Sequence, residues 1–409
     1  MKVGKYIAFL EAILIAAMVF VLPLYWHAVV WFIPLWLVTS LWQGRKHYRQ
    51  LFTVESIPFR LFLFFFLFYL VSLISVVYSS NQHEGWFDVQ VKLSLLVVPL
   101  LMLGSKDNII RYRSLIAGAF VAGLLLAGII CTGTAFYRSF SIVDHHLIFK
   151  PHSYADPHLS FWFLFKSGLG YFTYTNFSVL LHPSYYSMFL CVGLLFLLEW
   201  IKRTPHVKRQ IGLITVAIFF AILLIILNSR GALLAFFLMA MVYGLLEYRG
   251  KTGYVILILF IPVVVFLSIH TRMYTIGLPN QRLEIWQKAW HVWTENLWWG
   301  VGTGDVKESI HAVHIDTGSG IPVQDNVHNQ FLETAVGTGI PGLFSLVAIF
   351  VAGFFYAIRN RKKMLFYFLL VVLVNFFFES MLNRFFGVFF FSFFYFFLCL
   401  VDEQERGQS

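Results

Sequence analysis

Charge is scarce in this chain. Asp, Glu, Lys and Arg together make up 12% of its 409 residues, about half the roughly 25% of an ordinary soluble domain, and that shortage excludes a water-soluble globular fold. Cysteine is scarcer still. Cys131, Cys191 and Cys399 each lie inside an apolar run without paired spacing, which supports neither a disulfide framework nor a zinc site and reads them as small buried hydrophobes. There is no glycine-rich phosphate loop of the nucleotide-binding type and no His-Glu-x-x-His, so cytoplasmic nucleotide hydrolysis and a zinc hydrolase both lack their usual motifs. What the chain has in quantity is hydrocarbon: 59% hydrophobic residues, with 47 Phe and a mean hydropathy of +0.76. The formal charge of +10 does not point to nucleic acid, because Lys and Arg fall in short clusters between apolar runs, as membrane orientation requires. Lys2 and Lys5 precede an apolar run in the manner of a signal peptide, but no small-residue cleavage site follows, and the run reads as a first transmembrane helix.

A bilayer core of about 30 Å asks for roughly 17–25 mostly apolar residues per helix, and about 12 segments answer that description. They are 6–23, 25–42, 58–79, 89–104, 114–136, 183–201, 211–228, 232–247, 254–270, 332–357, 364–379 and 385–401. Basic clusters at Arg45, Lys46 and Arg49, at Lys106, Arg111 and Arg113, at Lys202, Arg203, Lys208 and Arg209, at Arg249 and Lys251, and at Arg359, Arg361, Lys362 and Lys363 all follow even-numbered segments. The positive-inside rule makes those loops and both termini cytoplasmic. The opposite loops, 79–88, 137–182, 228–231, 271–331 and 380–384, then face outward, which in a Gram-negative cell is the periplasm. The expected architecture is therefore all-α: a polytopic integral membrane protein with one transmembrane domain over 1–409, two large outer loops at 137–182 and 271–331, and no internal repeat or separable soluble module.

Chemistry is expected where charge and imidazole gather at the outer edge. Arg230 occupies the short outer turn Asn228-Ser-Arg-Gly231, where a cation is disfavoured unless it has a role; it is either an arginine snorkelling to headgroups or a guanidinium whose planar fork binds phosphate oxygens. Arg282 opens a stretch with apolar residues at 283, 286, 290 and 293, which reads as an amphipathic helix on the outer surface. A helix start plus an arginine suits an anion, although Glu284 offers an ordinary ion-pair explanation. His328 stands where a polar segment runs into a long apolar helix containing Gly339-Ile-Pro-Gly342; taken alone it reads as a capping or structural residue, and in company as a general base. Asn329 and Glu333 either orient it or a substrate hydroxyl, or cap the helix. His182, in His182-Pro-Ser-Tyr-Tyr186, marks another outer loop-to-helix junction, and Glu379 and Arg384 flank the last outer turn, where they pair with each other or join the site. His145, His146, His152, His158, His311 and His314 lack a metal-ligand spacing with a carboxylate partner and read as interfacial polar residues.

Taken in order, His182-Pro-Ser-Tyr-Tyr, Ser229-Arg-Gly231, Arg282-Leu-Glu-Ile-Trp286 with Gly300-Val-Gly-Thr-Gly304, and His328-Asn329 leading to Glu333 and Gly339-Ile-Pro-Gly342 resemble the O-antigen ligase and O-antigen polymerase superfamily of bacterial polytopic membrane proteins. The resemblance covers about 180–385 in motifs and the whole chain in topology. It implies an inverting glycosyltransferase of the inner membrane that needs no metal or other cofactor. The donor would be a glycan on undecaprenyl pyrophosphate, and the transfer would take place on the periplasmic face. By motif match Arg230 and Arg282 would bind the pyrophosphate and His328 would activate the acceptor hydroxyl. His182, Asn329, Glu333 and Arg384 would support them. A ligase accepting on lipid A–core is the first expectation. A polymerase accepting on another lipid-linked repeat is the second, followed by a protein O-oligosaccharyltransferase. A non-catalytic transporter of lipid-linked saccharides would instead place charges at the bilayer midplane and show repeat-like halves.

Overall fold

A computed structural model of the protein describes residues 2–51, 57–143, 145–153, 159, 160, 163, 164, 167, 169–247, 281–317 and 326–401. The expected span 254–270, His158, and parts of both long loops, including 271–280 and 318–325, lie outside the described residues. In chain order the helices are α1 (Lys2–Val21), α2 (Trp26–Leu51), α3 (Ile57–Tyr78), α4 (Gln82–Lys92), α5 (Ser94–Gly104), α6 (Lys106–Arg111), α7 (Arg113–Ser139), α8 (Tyr174–Phe177), α9 (Pro183–Arg203), α10 (Val207–Leu227), α11 (Arg230–Glu247), α12 (Gln281–Glu295), α13 (Val306–Thr317), α14 (Gln330–Arg359), α15 (Lys363–Phe378) and α16 (Phe385–Val401). Apolar runs become helices because hydrocarbon leaves each backbone N–H and C=O to be satisfied within its own segment.

Among the described residues, seven helical stretches are long and apolar enough to cross a membrane by length and composition: Phe59–Tyr78, Gln82–Gly104, α7, α9, α10, α11 and α14. Trp26–Trp42, Lys363–Phe378 and Phe385–Val401 are apolar but shorter. The protein is a multi-pass helical membrane protein. Among the described residues the helices are joined by one short hairpin: β1 (Phe140–Val143) and β2 (His146–Phe149) pair antiparallel in register from Phe140 against Phe149 to Val143 against His146. His145, at the turn, takes a positive φ of 66°.

The chain divides into two compact units, 1–12, 34–113 and 278–409 in the first and 13–33 and 114–277 in the second. In the first, α16 is buried along its length. The Phe391 ring lies 5.6, 5.5 and 5.3 Å from those of Phe350, Phe65 and Phe376. Aromatic side chains fill the centre of this unit because they carry large apolar area without polar atoms that hydrocarbon would leave unpaired. In the second unit α9 is the buried centre, and Tyr186 donates from its hydroxyl to the Leu124 carbonyl at 2.9 Å.

One helix departs from its sequence pattern in a way that shapes the first unit. α14 is two helical segments joined at Gly339, whose φ of 64° and ψ of −158° lie in a region essentially reserved for glycine. In an unbroken helix Phe331 and Phe350 would stand about 28 Å apart at about 1.5 Å per residue, yet their ring centroids are 5.9 Å apart. The first segment therefore folds back along the second. The break leaves carbonyls without helical partners: Pro341 has no N–H to give Gly337, and the Ile340 N–H goes to the Leu297 carbonyl at 2.9 Å. A strap over 296–305 supplies replacements, Val301 N–H to the Val336 carbonyl at 2.8 Å and Gly302 N–H to the Gly337 carbonyl at 3.0 Å. The approach is close enough that a Cβ on Gly339 would meet the Trp298 carbonyl oxygen at 2.3 Å. At its other end the strap is held by Asp305, whose buried carboxylate accepts from the Ser80 and Asn81 N–H groups at 2.6 and 2.7 Å.

Candidate functional site

His328 sits between two anchors. Before it, Val327 is fully buried in an apolar cluster with Ala289, Val292, Val306, Ile310 and Val336, and its carbonyl accepts from the Trp286 indole at 2.9 Å. After it, Asn329 caps α14, its side-chain oxygen accepting from the N–H groups of Phe331 and Leu332 at 3.0 and 3.1 Å. Between them His328 is held at a positive φ of 50°, with its N–H donated to the Asn326 side chain at 3.0 Å. A non-glycine residue in this region costs of order 1 kcal/mol and persists where its surroundings over-determine it, as these contacts do.

The imidazole is paired. Nδ1 of His328 lies 2.8 Å from Oε1 of Glu379, a buried carboxylate, while the imidazole itself is one-quarter exposed. A carboxylate acceptor at Nδ1 favours the tautomer with the proton there and leaves Nε2 as the basic nitrogen. Arg282, at the start of α12, donates from Nη1 to the Phe378 carbonyl at 3.1 Å, one residue before Glu379. The first unit thus brings Arg282, His328 and Glu379 to the end of α15. Of the expected pairing at the last outer turn, Glu379 turns to His328, while Arg384 is exposed and its carbonyl starts α16 by accepting from the N–H groups of Gly387 and Val388 at 3.0 and 3.1 Å.

Glu333 has a different task from orienting the imidazole. Its Oε2 accepts from the Val327 N–H at 3.2 Å and the Ser380 hydroxyl at 2.6 Å, and its Oε1 accepts from the Asn383 amide at 2.6 Å. The Gln330 side chain accepts from the Leu382 N–H at 2.6 Å. Both residues tie the folded-back segment to the turn that carries Glu379. Behind them lies a small polar cavity whose lining includes Asp88, Lys92, Thr303, Glu333 and Thr338, where Lys92 pairs with Asp88 and Thr303 donates to Asp88.

α12 forms where expected, but its faces differ from the sequence pattern. Ile285, Ala289 and Val292 enter the core, with Trp286 and Trp293 half-buried against it, whereas Leu283 and Trp290 are exposed. The helix has two apolar faces, and spacing alone does not say which one the protein covers.

In the second unit, Arg230 is the first residue of α11 and is exposed. The turn before it is made by Asn228 at a positive φ of 48°; the Asn228 side chain is buried, and neither of its polar atoms has a hydrogen-bond partner among the described residues. His182 is the N-cap of α9, its ring nitrogen accepting weakly from the Ser184 N–H at 3.4 Å, with Tyr174 and Tyr185 packed edge-on at 6.2 and 6.3 Å. Among the described residues no three of His, Cys, Asp and Glu gather in a metal-binding group. Cys131, Cys191 and Cys399 are buried free thiols.

Residues 214–347 match the family model described as O-Antigen ligase. The match takes in Arg230, Arg282, the glycine strap and His328, and it bears out the resemblance to the O-antigen ligase and polymerase superfamily. Glu379 lies beyond it. No curated protein matches the chain.

Proposed function

We propose that this protein is an O-antigen ligase-like glycosyltransferase that moves a glycan from undecaprenyl pyrophosphate to a hydroxyl of lipid A–core, on the periplasmic face of the bacterial inner membrane. The observation that carries the reading is the 2.8 Å contact between His328 Nδ1 and Glu379 Oε1, with the Arg282 guanidinium on the carbonyl next to that glutamate. A base and a cation are the two things this reaction needs.

In the proposed step Nε2 of His328 takes the proton from the acceptor hydroxyl as its oxygen attacks the anomeric carbon from the face opposite the pyrophosphate. The new C–O bond forms as the old one breaks, the configuration inverts, and undecaprenyl pyrophosphate leaves with the bonding electrons. Glu379 steadies the imidazolium that results. Arg282 meets the growing negative charge on the leaving group with a planar set of donors. Arg230 is assigned to the same pyrophosphate by its motif. A polymerase would use the same chemistry with another repeat unit as acceptor.

The test is transfer from a lipid-linked donor by the purified protein in vesicles. His328→Ala is expected to lower the rate by about 10²- to 10⁴-fold, the usual worth of a general base, with the purified protein still monodisperse. Wild-type turnover in the His328→Ala protein would end the assignment. The acceptor is read from the glycolipids of a deletion strain: finished polymer held on the carrier supports a ligase, and single repeats on the finished lipid support a polymerase.

A further inference from the structure

The exposed apolar side chains of the first unit form a continuous pattern. On α14 Ile340, Phe344, Val347, Val351, Phe355 and Ile358 are all exposed, at three- and four-residue intervals that place them on one helix face. From the first to the last the stripe rises about 27 Å at about 1.5 Å per residue, close to the ~30 Å hydrocarbon core. Arg359, Arg361, Lys362 and Lys363 follow it at one end. The other end is marked by the strap, because Leu297 accepts the Ile340 N–H at 2.9 Å.

At that end the strap shows large apolar side chains outward. Trp298 and Trp299 are 69% and 65% exposed, and Trp290 on α12 is 56% exposed, with Leu283 and Leu297 exposed beside them in sequence. These side chains sit on a fixed backbone. The Trp299 carbonyl accepts from the Tyr78 hydroxyl at 2.5 Å, the carbonyl before it packs on Gly339, and the opposite face of α12 is already committed to the core through Ile285, Ala289 and Val292. Indole has an apolar body and one N–H donor, which is why tryptophan collects at the boundary between acyl chains and headgroups.

We propose that Leu283, Trp290, Leu297, Trp298 and Trp299 form a bilayer-interface anchor, seated in the glycerol and headgroup region of the phospholipid leaflet at the strap end of the α14 stripe. The anchor lays α12 along the membrane as a monotopic helix whose polar side chains stay in water. Its consequence is one of depth: Arg282, adjacent to Leu283 on the same helix, is held at the level where lipid phosphates lie.

The test measures depth and uses no transfer activity, so it stands or falls apart from the glycosyl-transfer reading. The full-length chain carrying Trp298→Cys, and separately Trp299→Cys, is labelled with an environment-sensitive fluorophore and reconstituted in phosphatidylethanolamine and phosphatidylglycerol vesicles. Glu295→Cys, on the more polar side of α12, serves as the water-facing comparison, and the three native cysteines are buried. The anchor requires that a quencher near the top of the acyl chains removes most of the emission at 298 and 299, with little lost to aqueous iodide and the reverse at 295. Iodide quenching at 298 and 299 equal to that at 295 overturns it. Protection from both quenchers also overturns it, because a protein surface would then cover the patch.

Discussion

In the first unit His328 is held by a buried carboxylate, an asparagine on its N–H and an apolar cluster beneath the preceding residue. In the second, Arg230 opens α11 as an exposed side chain, after a turn in which the buried side chain of Asn228 has no hydrogen-bond partner among the described residues while its N–H donates to the Ile225 carbonyl at 3.1 Å. The two arrangements suit different tasks. A proton acceptor must be aimed before substrate arrives, since a small error in position costs rate steeply. On the proposed reading Arg230 would meet a bulky lipid pyrophosphate, and a long exposed side chain at a helix start has the reach for it.

Substitutions can break or sharpen this contrast. The largest expected effect after loss of His328 is Gly339→Ala. The new Cβ would meet backbone at 2.3 Å in a conformation only glycine adopts, so folding should lose about 3 kcal/mol or more, seen as collapse of the thermal transition in detergent; an unchanged melting temperature would contradict the fold-back. Glu379→Gln should leave the fold intact and lower transfer by roughly 10- to 100-fold, the equivalent of about 1.5–3 kcal/mol for a charged hydrogen bond. If it matches wild type, the imidazole does not depend on its carboxylate. Arg230→Lys keeps the charge but loses the fork, and about a tenfold fall in kcat/KM for donor is expected at roughly 1.4 kcal/mol. The same fall with a truncated acceptor and no change in donor KM would move Arg230 away from the donor. The smallest effect is Gly118→Ala in α7 of the second unit, where a Cβ meets nothing within 4 Å; helix propensity predicts a gain of about 0.5–1 kcal/mol, and the thermal transition should rise slightly.

Much of the helical layout was legible in the runs of apolar residues. The expected spans 183–201, 364–379 and 385–401 correspond to Pro183–Arg203, Lys363–Phe378 and Phe385–Val401, because hydropathy is local and hydrocarbon enforces helix. The fold-back was not legible. The pattern over 332–357 runs straight through Gly339, and the partners that make a reversal tolerable come from Val301 and Gly302, far back in the chain. The same limit applied to Glu379, which is 51 residues from His328 and visible only as one flank of a turn. The hydrogen bonds that Glu333 accepts from Val327, Ser380 and Asn383 are equally invisible in the sequence, because two of the three partners lie about 50 residues further on. On α12 the helical period is legible, but the four expected apolar positions divide: Trp286 and Trp293 pack against the core cluster, and Leu283 and Trp290 are exposed.

The reversal at Gly339 also settles a problem of length. α14 has 30 residues, which as a straight rod would run about 45 Å, some 15 Å beyond a hydrocarbon core of about 30 Å. A helix that long must tilt, distort the leaflet or leave its polar end stranded. Turning the first nine or so residues back on the rest removes the excess, and the residues thus withdrawn from spanning carry Glu333 and Gln330 and are preceded by His328. Hydrophobic mismatch, elsewhere a source of strain, is here resolved into the platform on which the proposed base stands.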